Sequence, residues 1–233
     1  MNFSGELTHP QWEGDQSLRE KVLQQIRFDV VSGKSPPGMV LSVPGVARQL
    51  GISTTPVREA LLELSSAGLI EPLRNRGFRV VESSLQDLKD LFTLREQLET
   101  YALITVAKTG LKDKEVLEGL ADAIAQAVQE GNVHDYLSAD RAFHHALVVQ
   151  AGNRLLTDTI MKLRDNMRLY GIDSKEGLVR QHASVKEHHL LVKLLSQGRQ
   201  AEVSKLICVH IRDWEPVFSA AIVKSATRAA SVA

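Results

Sequence analysis

Asp140 and His144 stand four residues apart, a spacing that puts both side chains on one face of a helix. His188 and His210 lie on two later segments of helical pattern. Together the four could supply one carboxylate and three imidazoles from three converging helices. That set suits Zn²⁺ first, or Ni²⁺ or Mn²⁺, and leaves coordination positions for water or a ligand oxygen. Ionised carboxylate and neutral imidazole are their ordinary forms at physiological pH. The plainer alternative is a group of satisfied core or surface histidines, because Asp/His pairs at this spacing are common. His145 and His189, one residue along, are turned by about 100° and should point away. Cys208, two residues before His210, reads as packing. An enzyme could use the same ligands to activate water, with Glu187 as base.

A second set of residues suits nucleic acid. Val57, Leu61 and Leu64 give segment 54–66 one apolar face, which leaves Thr54, Thr55 and Arg58 on another face at its N-terminal end. Such an end presents free backbone N–H groups and a positive dipole to phosphate, and Arg58 can offer a fork to guanine. Arg74, Arg76 and Arg79 follow around the turn Arg74-Asn75-Arg76-Gly77, with no acidic residue between Pro72 and Val80. A hairpin tip with Gly77 can enter a minor groove. The alternative is a solvated basic hairpin on a protein-interaction module. A third pair, Arg95 and Glu99, is either a surface ion pair or an arginine reaching inward to clamp an effector carboxylate.

The elements that must position these residues divide the chain near residue 83. Residues 1–16, including His9, read as a loose polar leader. Leu18, Val22, Ile26 and Val30 recur at helical spacing up to Gly33. A short helix over 43–50 ends at Gly51, and Ser53 or Thr54 caps the helix through Ser66, with Pro56 tolerated in its first turn. Extended runs over 70–73 and 78–81 form a β-hairpin. The expected order over 17–82, helices and then a hairpin, is that of a winged helix-turn-helix. Over 84–225 the pattern is helical throughout, with six segments expected at 85–109, 112–130, 132–151, 153–170, 177–197 and 199–225, and Asn153 as a cap. The Ala/Ser-rich residues 226–233 read as a tail. The fold class is mainly α.

The 233 residues include 28 Lys plus Arg against 28 Asp plus Glu, so the formal net charge is zero and any surface for DNA must be local. Hydrophobic residues at 43% are enough for a real core. One cysteine excludes an intramolecular disulfide and a cysteine-rich zinc ribbon. No apolar run is long enough to span a membrane, and the first residues lack the pattern of a secretory signal, so a cytoplasmic protein is expected.

Leu50-Gly51-Ile52-Ser53, Thr55-Pro56-Val57-Arg58-Glu59-Ala60-Leu61, Gly68-Leu69-Ile70 and Asn75-Arg76-Gly77, at this spacing, resemble the DNA-binding domain of the GntR family of bacterial regulators. The resemblance implies that Thr55 and Arg58 touch an operator and that Gly77 sits at the wing tip. Two departures are Thr54, where the family often has arginine, and Pro44, where a polar or basic residue is common. Asp140 with Phe143-His144, Gly152-Asn153, Glu187-His188 and His210-Ile211 resemble the FadR-type C-terminal (FCD) ligand-binding domain. In its metal-binding members an Asp and three His match Asp140, His144, His188 and His210. Similar segments of the family suggest Arg95 as an effector contact. The implied protein is a homodimeric regulator that reads a short inverted repeat and answers to a small molecule, an organic acid held through the metal. The rivals are a sensor of the ion itself and a helical metallohydrolase.

Overall fold

The computed structural model describes residues 17–230, so the expected leader and its His9 lie outside the described residues. The chain divides into two compact units after Ser83.

In the first unit, α1 (Leu18–Val31), α2 (Val43–Leu50) and α3 (Thr54–Ser66) accompany a small antiparallel sheet of β1 (Val40–Leu41), β2 (Ile70–Leu73) and β3 (Gly77–Val80). Its strand order is β1-β3-β2. Ser17 and Ser42 accept from backbone N–H groups to cap α1 and α2, and Gly51 closes α2 in the left-handed conformation. Ser53 holds the cap position of α3 without a side-chain hydrogen bond. Val22, Ile26 and Val30 are buried, as their spacing requires, together with Val57, Leu61, Leu64, Ile70 and Phe78. Leu18, the first residue of that stripe, stays exposed. The strand β1 was not foreseeable: two residues are too few to show an alternating pattern, and only pairing of Leu41 with Phe78 makes them a strand.

The second unit is helical: α4 (Leu85–Thr109), α5 (Lys114–Gln129), α6 (Val133–Val148), α7 (Arg154–Asn166), α8 (Lys175–Ser196), α9 (Gln200–Arg212) and α10 (Glu215–Ala230), with a single 3-10 turn at Val149–Ala151. The long α4 packs against α6, α7, α8, α9 and α10. It begins with a reciprocal cap between Ser84 and Asp87, and Asn153 caps α7 as expected. Two expected segments change. The helix expected over 153–170 stops at Asn166, because Met167, Leu169, Tyr170 and Ile172 are buried in an irregular connection. The helix expected over 199–225 breaks at Asp213 and Trp214, giving seven helices among the described residues instead of six. Pro216, the second residue of α10, marks that break, because its ring and missing N–H cannot continue α9; the break lets the Trp214 ring turn inward and stack on Phe218 at 5.2 Å between centroids. The helix α10 runs on to Ala230, so most of the expected tail over 226–233 continues a helix. Among the described residues, no helix is long and apolar enough to cross a membrane.

Candidate functional site

The helix α6 presents Asp140 and His144 on one face, α8 contributes His188 and α9 contributes His210. One ligand atom from each of these four residues lies within 4.8 Å of the other three. His188 Nε2 is 3.1 Å from Asp140 Oδ1, and His144 Nε2 is 3.6 Å from the same oxygen. His210 Nε2 and His144 Nε2 face each other at 3.2 Å. All three imidazoles are buried, at 0%, 0% and 2% exposure, and the Phe143 ring meets those of His144 and His188 nearly at right angles. His145 is exposed and His189 turns away to Asp122, as their offset requires. Cys208 lies beside Thr100, at 3.6 Å from its hydroxyl.

The donor set fits a first-row divalent ion. Bonds of about 2.0–2.1 Å to such an ion would set adjacent ligand atoms roughly 3–3.4 Å apart, close to the three short distances above. Burial first, then the nearby Arg164 charge, pushes His144 down to about 3. Burial lowers His210 to about 4 in spite of its carboxylate partner. Both rings are therefore neutral at pH 7, with lone pairs available. Facing ring nitrogens at 3.2 Å have room for one proton between them at most, which leaves a lone pair at the centre of the cluster.

A layer of charge surrounds these four residues. Arg164 donates to Asp140 Oδ2 at 2.6 Å and to Glu99 Oε2 at 2.8 Å. Arg95 donates to the other Glu99 oxygen at 2.8 Å. Burial alone would raise Glu99 and Asp140; Arg164, followed by Arg95 at Glu99 and by His144 at Asp140, holds Glu99 at about 2 and Asp140 well below the usual range. Arg95 is 3% exposed, so its ion pair with Glu99 is buried and not on the surface. Glu187 accepts from Arg180 through both oxygens, at 2.9 and 2.6 Å, and stands 2.7 Å from His210 Nδ1. These partners occupy the carboxylate that a hydrolytic base would need free. Arg164 and Arg180 were not singled out from sequence. Arg180 and Glu187 share a face of α8 at two turns' spacing, a signal that was available; Arg164 offers none, because its partners are 24 and 65 residues away.

In the first unit Thr54, Thr55 and Arg58 are exposed at the start of α3, opposite the buried Val57, Ala60, Leu61 and Leu64. Arg74 and Arg76 are exposed in the turn between β2 and β3. Arg79 departs from the expectation of an unopposed cation. The strand register places Glu71 opposite it, and its Nε donates to Glu71 at 2.7 Å. Glu71 lies just before Pro72, outside the sequence window, but pairing across the hairpin brings it back. Gly77 sits one residue past the turn at φ 114°, and a Cβ there would come within 2.3 Å of the Leu41 carbonyl oxygen. Its missing side chain thus serves the close approach of β1, and the exposed tip belongs to Arg74, Asn75 and Arg76.

Residues 90–213 match the FCD domain family, and residues 18–80 match the bacterial regulatory proteins of the gntR family. The chain is 29% identical over 185 residues to the HTH-type transcriptional regulator McbR of Escherichia coli strain K12, covering 77% of this chain and 82% of that protein. It is 32% identical over 142 residues to a Paenarthrobacter nicotinovorans protein described as "Probable D-xylose utilization operon transcriptional repressor". That match covers 59% of this chain and 63% of the relative's length. The solved structure of E. coli McbR/YncC superimposes with a TM-score of 0.73 at 24% identity, covering 85% of this chain and 95% of that one, which shows a shared fold. These relatives are transcription regulators and not enzymes.

Proposed function

The chain belongs to the GntR family of bacterial transcription regulators and carries an FCD domain, and from that premise we propose that it is a homodimeric cytoplasmic regulator whose operator affinity is set by a carboxylate effector at a metal centre. The observation that carries the reading is the convergence of Asp140, His144, His188 and His210 within 4.8 Å in a buried setting. These four residues would hold the ion, Zn²⁺ first with Ni²⁺ or Mn²⁺ as alternatives, and the ion supplies Lewis-acid anchorage for an effector oxygen. The charge of the surrounding residues supports an anionic effector. Three guanidiniums (Arg95, Arg164 and Arg180) face three carboxylates (Glu99, Asp140 and Glu187) and cancel them. A divalent cation among neutral imidazoles is then an uncompensated buried charge, which a carboxylate relieves. Arg95, already paired with Glu99, would turn any guanidinium edge it has left toward that effector.

Thr54, Thr55 and Arg58 would read base edges in the major groove, with Arg74 and Arg76 of the hairpin tip on the backbone or minor groove and Gly77 shaping that hairpin. Two such units in a dimer match a short inverted repeat. Effector binding that favours one arrangement of the two heads changes operator affinity by the same coupling free energy. A second reading, a sensor of the ion itself, rests on the same four residues.

The test pairs metal content per protomer with operator titrations for wild type and His188→Ala, each with and without a chelator and a panel of carboxylic acids. The expected result is stoichiometric metal in wild type, its loss in His188→Ala, and loss of the acid response in that variant with basal operator binding retained. Stoichiometric metal in His188→Ala, or an unchanged acid response, overturns the reading. A response to metal alone, with no acid acting, selects the sensor.

A further inference from the structure

The three imidazoles of the cluster are held differently on their outer side. His144 Nδ1 and His188 Nδ1 are buried without a hydrogen-bond partner, and the nearest carboxylate oxygen to His144 Nδ1, on Glu99, is 3.8 Å away. His210 Nδ1 alone meets a carboxylate, Glu187 Oε2, at 2.7 Å. That carboxylate is itself clamped. Arg180, 7% exposed, donates through Nη1 and Nη2 to the two oxygens of Glu187, and Nη2 also donates to the His210 backbone carbonyl at 3.0 Å. The guanidinium lies over the Trp214 ring, 5.5 Å from its centroid. One side chain thus braces both the imidazole's partner and the main chain of the last turn of α9.

From this asymmetry we infer that Glu187, clamped by Arg180, is a positioning residue for the metal centre: it sets the tautomer and ring angle of His210 before any ion arrives. The inference rests on the metal reading above and adds a residue to it. An ionised carboxylate can only accept a hydrogen bond, so the proton of His210 must sit on Nδ1. The lone pair is then on Nε2, the nitrogen that faces His144 at the centre of the cluster. Such an outer carboxylate also raises the basicity of the ligating nitrogen, and its loss typically weakens metal binding by about 10–100-fold. Glu187 does not act as a further ligand, because both of its oxygens are engaged on the far side of the ring from Nε2. Nor is the Arg180 pair a loose surface contact, since the guanidinium is buried against Trp214.

Co²⁺ is a suitable probe, because its visible absorption reports the ligand set directly. Full-length, metal-stripped wild type, Glu187→Ala, Glu187→Gln and His188→Ala are titrated with Co²⁺ against a competing chelator, and the thermal midpoint of each metal-free protein is recorded. Glu187→Ala should bind Co²⁺ about 10–100-fold more weakly with altered absorption. Glu187→Gln, whose amide oxygen still accepts from Nδ1, should recover most of that loss. A purely structural role would lower the metal-free midpoint and leave affinity and spectrum at wild-type values, and that result overturns the inference. So does a Glu187→Gln variant as weak as Glu187→Ala. If Glu187→Ala does not fold, Glu187→Asp takes its place: it keeps the charge but is too short to reach Nδ1. It should then bind more weakly than Glu187→Gln, and the reverse order overturns the assignment. A wild type that binds no Co²⁺ removes the metal reading and this inference together. An operator affinity indifferent to metal and acids removes the proposed function and leaves the positioning role standing.

Discussion

Arg164 is the most exacting place to test the electrostatics of the second unit. It is the shared partner of two carboxylates, Glu99 with a side-chain exposure of 1% and Asp140 with 18%. Replacement by methionine keeps most of the volume and removes the charge, leaving Arg95 alone to neutralise Glu99 and no guanidinium at Asp140. Removing one partner of a buried pair costs about 3–5 kcal/mol, because the remaining charge is stranded in a medium that solvates it poorly. At about 2–4 °C per kcal/mol for a protein of this length, the thermal midpoint of metal-free Arg164→Met should fall by roughly 6–20 °C.

The pH dependence of that loss has a definite sign. In wild type Glu99 is held at about 2, below its ordinary 4.5, so its contribution to stability is present above pH 4.5 and disappears only as pH falls toward 2. Without Arg164, the largest of the charges that oppose burial, the folded-state value rises from about 2. The folded variant then binds that proton more tightly than folded wild type, so the gap between variant and wild type should narrow as pH is lowered from about 5 toward 2. Scanning calorimetry of both proteins in chelator at several pH values measures this. A midpoint change under about 2 °C at pH 7, or a gap that widens on acidification, would refute the claim that Arg164 neutralises buried carboxylates.

Two further expectations concern the first unit. Arg58→Ala should weaken specific operator binding by about 1–3 kcal/mol in gel-shift titrations, with the helical signal in circular dichroism unchanged; wild-type affinity would remove Arg58 from the DNA-reading face. Gly77→Ala should destabilise the first unit by about 1–3 kcal/mol from its backbone conformation, with more from the contact a Cβ would make with Leu41. Proteolysis protection of residues 18–80 equal to that of wild type would refute the close approach of β1.

Local periodicity carried most of the fold. Val22, Ile26 and Val30 in α1 and Val57, Leu61 and Leu64 in α3 repeat at helical spacing because each row faces one core, so their burial could be read from position alone. The failures differ in cause. The strand β1 exists only through its partner β3, a tertiary contact between residues that are not neighbours in sequence. The break before α10 did leave a mark, Pro216, which fits the first turn of a new helix and not the interior of the old one.

The candidate site divides along the same line. Asp140 and His144 are legible because four residues is one helical turn, so sequence spacing is itself a distance. His188 and His210 could be proposed as partners from residue type and from the family resemblance, but their approach to Asp140 depends on how α6, α8 and α9 pack. The surrounding charges were less legible still. Glu187 could be offered as a base in the enzyme alternative, because a sequence shows a carboxylate and not what occupies it. With Arg180 on both oxygens and His210 on one, the same residue has the geometry of an orienting group. Arg79 repeats the lesson in the first unit. Its charge looked unopposed along the chain, yet the hairpin register sets Glu71 across from it. What chemistry a side chain can do is written in its type; whether that capacity is free is decided by its partners in space. Of the four arginines near the proposed DNA face, Arg58, Arg74 and Arg76 form no ion pair among the described residues, whereas Arg79 is paired with Glu71.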